Sequence, residues 1–121
     1  MLEFNIKFDK KPKKILLKYP DVLKHECLFE ILINDIVIFK EPDFPIYEFY
    51  IQLKKWILEK MNYNYDFEYN SIESDLNPLI TISYCNELWK FKFLWDEFES
   101  DELVSSEELI NAVGILESKI L

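Results

Sequence analysis

The spacing of apolar residues along this chain switches between two and three-to-four, and each switch marks an element. Leu2, Phe4, Ile6 and Phe8 alternate with Glu3, Asn5 and Lys7. That period of two belongs to a strand with one face buried. Asp9 to Lys14 breaks the pattern with lysines around Pro12, and Ile15 to Glu26 stays open, with Pro20-Asp21 able to start a short helical turn through Lys24. Cys27 to Ile33 and Ile36 to Lys40 are β-branched runs separated by Asn34-Asp35, a pair that tolerates the positive φ of a tight hairpin. Glu41 to Pro45 stops the strand, with Asp43 expected as a helix cap and Pro45 in the first turn.

From there Ile46, Phe49, Tyr50, Leu53, Trp56, Ile57 and Met61 fall at helical spacing, leaving Glu48, Gln52, Lys55 and Glu59 for the outer face. Period two returns between Asn62 and Asn70, with Tyr63, Tyr65, Phe67 and Tyr69 on one side and Asn64, Asp66, Glu68 and Asn70 on the other. After a loop from Glu73 to Pro78, strands are expected over Leu79 to Tyr84 and Leu88 to Trp95, joined by a turn at Cys85-Asn86-Glu87. Ser105 and Glu108 have the spacing of a capping box ahead of a last helix that buries Leu109, Val113, Leu116 and Ile120.

The order is strand, hairpin, helix, three-stranded meander, helix. It predicts an α+β fold: one antiparallel sheet of about six strands, with two main helices packed on one face. The whole of residues 1–121 reads as a single domain, and half of them are apolar, enough for a core without disulfide or metal. Cys27 and Cys85 do not form a disulfide framework. No apolar run approaches the ~20 residues of a membrane helix, so a cytoplasmic protein without a membrane partner is expected.

Chemistry is sparse. Gly114 is the only glycine, which argues against a phosphate-cradling loop. His25 is the only histidine, and a His25/Cys27/Cys85 set lacks a fourth ligand at a familiar spacing. Pro42-Asp43 resembles the first half of a metal-nuclease pattern, but Glu87-Leu-Trp-Lys90 is one residue too long and Glu117-Ser-Lys119 belongs to the last helix. No catalytic residue, metal site or cofactor is expected, and the chain reads as a binding protein rather than an enzyme. All fourteen basic residues are lysine; the absent arginine fork and the net charge of −9 disfavour a nucleic-acid partner.

The charge is uneven. Residues 1–60 hold eleven lysines against ten carboxylates, and residues 61–121 hold three against thirteen. One block contains Asp96, Glu97, Glu99, Asp101 and Glu102, with Phe98 inside it; Asp66, Glu68, Glu73 and Asp75 form a second group. A run of like charge opposes folding by self-repulsion, and it also steers a cationic partner. These ten residues are therefore the expected partner-binding surface. Lys10, Lys11, Lys13, Lys14 and Lys18 form the basic cluster of the chain and read as a solvated loop.

The strand Leu88-Trp-Lys-Phe-Lys-Phe-Leu-Trp95, the acidic run from Asp96 to Glu102 and the closing segment Val104-Ser-Ser-Glu-Glu-Leu-Ile110 together span about the last third of the chain. In these features the chain resembles the small acidic immunity proteins of bacterial polymorphic-toxin and contact-dependent growth inhibition systems. The resemblance implies a protein made beside its toxin gene. It would bind the cognate toxin's C-terminal domain, a basic protein and commonly a nuclease, and block its active site or substrate channel. The alternative is a non-catalytic adaptor or regulatory domain that pairs with itself, so a monomer or weak homodimer is expected.

Overall fold

Two tight turns set the framework. Asn34 (φ 50°) and Asp35 (φ 67°) join one hairpin, and Asn86 (φ 49°) and Glu87 (φ 69°) join another. Both turns have positive φ at both central residues, the geometry whose twist matches that of the flanking strands. The computed structural model describes residues 1–94 and 101–121. The first turn links β2 (Cys27–Ile33) to β3 (Ile36–Phe44), and β1 (Leu2–Lys7) pairs with the other side of β2. The second links β5 (Ile80–Cys85) to β6 (Leu88–Phe93), flanked by β4 (Phe67–Tyr69) and β7 (Leu103–Val104). Every pairing is antiparallel.

The α+β class is thus as expected, with a seventh short strand and with the strands divided between two sheets, β1-β2-β3 and β4-β5-β6-β7. Side-chain rings bridge the division. Phe49, on helix α1 (Ile46–Glu59), has ring centroids of Phe4 and Phe29 at 6.0 and 5.4 Å on one sheet and of Phe67 and Tyr69 at 6.1 and 5.3 Å on the other. Phe39 of β3 stacks on Phe93 of β6 at 4.9 Å. Truncating a ring as central as Phe49 to alanine would cost about 3–5 kcal/mol. Helix α2 (Ser106–Ile120) packs against β1 and α1. Its ends are pinned: Trp89 Nε1 donates to Ser106 Oγ (2.8 Å), and Tyr47 Oη donates to the carbonyl of Ile120 (2.7 Å). The capping box is present, with Glu108 N donating to Ser105 Oγ and Ser105 N to Glu108 Oε2.

Three local expectations are corrected. β3 continues through Pro42 and Asp43 to Phe44, so Asp43 is a strand residue and Pro45 occupies the cap position of α1. An irregularity in the β2–β3 register lets the proline sit in an edge strand. The Asn62–Asn70 strand shrinks to Phe67–Tyr69, because Met61–Tyr63 forms a 3-10 turn and Asn64 is left-handed (φ 63°). Tyr63 and Tyr65 are consequently exposed, whereas Phe67 and Tyr69 are buried. Finally, Glu48 is not on an outer face: it is fully buried in the first turn of α1.

Candidate partner-binding surface

The structure separates the acidic residues that the sequence groups. Asp66 and Glu68 are exposed on and beside β4. They line a shallow cleft of about 350 Å³ with Lys55 and Lys60 of the α1 C-terminal end. Asp66 also accepts from the backbone N–H of Tyr84 (3.0 Å), extending the β4–β5 pairing by a side chain. On the outer face of the sheet Glu68 aligns with Thr81 and then Lys92. Charge is mixed here. Glu102 lies elsewhere, accepting from Asn34 Nδ2 (3.2 Å) at the β2–β3 turn, where the N-terminal ammonium also bonds to Asn34. Asp101 and Asp75 are exposed. Asp96, Glu97, Phe98 and Glu99 lie outside the described residues.

Glu73 falls in a different setting. It rims a cleft of about 230 Å³ together with Glu26, Glu41 and Asp43, over a floor that includes Phe39, Phe44, Pro45 and Leu79. Among the described residues no lysine lines this cleft. A neighbouring hollow of about 340 Å³ shares Glu26 and Asp43 and is lined as well by Asp9 and Lys7. Partial burial first, then the charges of Asp43 and Glu73, push the Glu26 carboxyl above its ordinary value. A cationic side chain placed here would relieve the repulsion and favour the charged form of the carboxyls. Sequence reasoning missed Glu26, Glu41 and Asp43 because it summed charge by halves of the chain. The lysines of the first half cancel these acids in the sum, but the β3 hairpin and the loop after β4 bring the acids to Glu73.

A second set of acidic contacts is structural in form. Tyr69 Oη donates to Glu48 Oε1 (2.7 Å), and Tyr19 Oη (2.8 Å) and the N–H of Ile72 (3.2 Å) donate to Oε2. Gln52 extends the network, donating to Tyr19 Oη (3.2 Å) and the carbonyl of Asn70 (2.8 Å) and accepting from Asn70 N (3.1 Å). Donors thus converge on both oxygens of the Glu48 carboxyl group. Burial, then the bond to Glu48, push the Tyr69 hydroxyl far above the ordinary tyrosine value; the same two causes raise Tyr19. Glu48 thereby ties the segment around Tyr19 and the segment after β4 to α1. The signal available in the sequence was faint: a carboxylate at the third position of a helix whose neighbours Ile46, Tyr47, Phe49 and Tyr50 are all large and apolar.

The residues with nucleophilic or ligand chemistry are not assembled. Cys27 is buried in β2, and burial pushes its thiol up to about 12. Cys85 is exposed at the end of β5 in the other sheet, and the His25 ring rests edge-on near Tyr47 at 6.4 Å. Among the described residues no group of three His, Cys, Asp or Glu side chains is placed to hold a metal ion. Among those same residues no helix is long and apolar enough to cross a membrane.

A family of unknown function, DUF7878, matches residues 4–120, and the chain belongs to it. No curated protein and no solved structure matches.

Proposed function

We propose that this member of the DUF7878 family is an immunity-type binding protein that neutralises a cationic toxin domain through its acidic surface, without catalysis of its own. The observation that carries the reading is the cleft rimmed by Glu26, Glu41, Asp43 and Glu73: four carboxylates and an apolar floor, with no lysine among the described residues that line it. Clustered carboxylates beside apolar surface suit a basic partner, whose lysine or arginine stems cover the floor while their heads meet the rim. A nuclease domain has such a basic surface, because it must hold phosphates. Asp66, Glu68, Asp75, Asp101 and Glu102 add to the net negative charge that steers the encounter.

The test is co-expression with the product of the adjacent reading frame. The wild-type chain should protect cells from that product and bind it, with an association rate that falls as salt is added. Asp43→Lys with Glu73→Lys should slow association by roughly 10- to 100-fold. A harmless neighbouring product, or binding untouched by these charge reversals, would overturn the reading. A specific feature favours the second reading, a self-pairing adaptor: Ile110 and Ile115 are about half exposed on α2, beside an apolar hollow that also touches Met1 and Gly114. Sedimentation of the wild type against Ile110→Lys with Ile115→Lys separates the two, since only the adaptor reading requires a dimer that these changes dissolve.

A further inference from the structure

Residues 8–20 hold the basic cluster of the molecule in an ordered display. The segment has no regular secondary structure, yet it is pinned along its length. Phe8 packs near the Tyr47 ring (6.1 Å), Ile15 rests against the core, and Tyr19 bonds to the buried Glu48. Val22, fully buried, donates its N–H to the carbonyl of Lys18 (3.1 Å). Between these anchors Lys10, Lys11, Lys13, Lys14 and Lys18 are all exposed, with no acid among residues 10–18. None of the five joins an ion pair among the described residues. Leu16 and Leu17 lie in the same stretch, 49% and 42% exposed.

We propose that this segment docks the protein onto an anionic lipid bilayer. The combination of features selects the partner. Lysine ammonium groups are compact charges suited to lipid phosphates, and adjacent exposed leucines suit the acyl boundary just beneath those phosphates. A nucleic acid answers the lysines but offers nothing to Leu16 and Leu17, and the chain has no arginine to read bases. The net charge of −9 does not forbid the contact, because salt screens charges more than about 8 Å apart at physiological ionic strength. The expectation of no membrane partner rested on the absence of a spanning run, which does not bear on a surface-lying loop. No residue of this loop lines the acidic cleft, so each proposal can fail without the other.

Co-sedimentation of the intact chain with vesicles tests the proposal, using phosphatidylcholine containing about 30 mol % phosphatidylglycerol against phosphatidylcholine alone. Binding should appear on the anionic vesicles alone and be released by about 0.5 M salt. Replacing Lys10, Lys11, Lys13 and Lys14 with glutamine should lower partitioning by roughly fivefold per lysine. Leu16→Gln with Leu17→Gln should lower it by about tenfold and leave the salt dependence in place. Leu16→Trp should add an emission that shifts to the blue on anionic vesicles. All these side chains are exposed, so melting temperatures should stay at the wild-type value. The proposal is overturned by absence of binding, by binding indifferent to the lysines, or by an unshifted Trp emission. It is equally overturned if the leucine variant binds as the wild type does and duplex DNA competes, since the segment then reads any polyanion.

Discussion

Two regions of this molecule are built around carboxyl groups and differ in what faces those groups. Around Glu48 a carboxylate is fully buried, and three donors from Tyr69, Tyr19 and the Ile72 backbone converge on it. Around the cleft, Glu26, Glu41, Asp43 and Glu73 stand at the surface with no lysine among the described residues lining the space between them. Hydrogen bonds complete the first region within the chain, so its charge serves cohesion. In the second, charge and apolar floor together lack a counterpart, so it is the better place for a partner. The difference teaches that counting acids along a chain says little until the donors facing each one are known.

The sharpest way to break this comparison is at Glu48. Glu48→Ala leaves the Tyr69 hydroxyl buried without its acceptor and releases two segments from α1. A loss of about 3 kcal/mol is expected in denaturant unfolding. Tyr69→Phe should cost about 2 kcal/mol, and Tyr19→Phe about 1 kcal/mol or less, because Tyr19 is 42% exposed and water can take its place. Equal costs for the two tyrosines would mean that Glu48 is not organised by burial as described.

Buried hydroxyl and thiol groups, Tyr69 among them, set an alkaline limit. Tyr69, Tyr50, Tyr47 and Cys27 all have folded pKa values raised, burial being the first cause in each; Tyr50 and Cys27 are pushed up to about 12. A raised value means that the native state holds protons the unfolded chain has released. The stability from the tyrosines is fully present below about pH 10 and is lost as pH rises through the folded values. Urea midpoints should therefore fall steeply from about pH 10 upward, and Tyr69→Phe should make that fall shallower while lowering the midpoint at neutral pH. A midpoint independent of pH through this window would contradict the packing around Tyr69.

How much of this was legible in the sequence follows from which forces act locally. The β2–β3 turn, the α2 capping box and the main helix were readable, because Asn34-Asp35, Ser105 with Glu108, and the Ile46–Trp56 spacing express their preferences over a few residues. The division into two sheets was not, since it depends on Phe49 and Phe39 meeting rings far along the chain. The alternation from Asn62 to Asn70 misled because Asn64 adopts a left-handed backbone that ends the period of two. Of the acidic site, Glu73 was named, but its three neighbours come from before α1, and Glu48 was assigned to solvent on helix periodicity alone. Periodicity places a residue on a face; it does not say that segments around Tyr19 and Ile72 will fold over that face.

The smallest expected effect is at the cleft itself, and its sign is what matters. The Glu26 carboxyl is raised by partial burial and by Asp43 and Glu73. Its sign is the same as that of the tyrosines: stability is fully present below about pH 4.5 and is lost as pH rises through the raised folded value. Glu26→Gln, and Glu73→Gln as removal of a repelling neighbour, should then leave the protein slightly more stable at neutral pH. Solvent screening holds the gain to about 0.5 kcal/mol or less, and it should vanish below about pH 4.5 and in about 0.5 M salt. Paired with Glu48→Ala, this reverses the direction of the effect: removing the buried acid weakens the fold, whereas removing a rim acid strengthens it. An acid that costs the free protein stability is a candidate for a role toward a partner. A loss of stability on removing Glu26 or Glu73 would place the rim in the same class as Glu48 and take away its claim to be a surface held open for a partner.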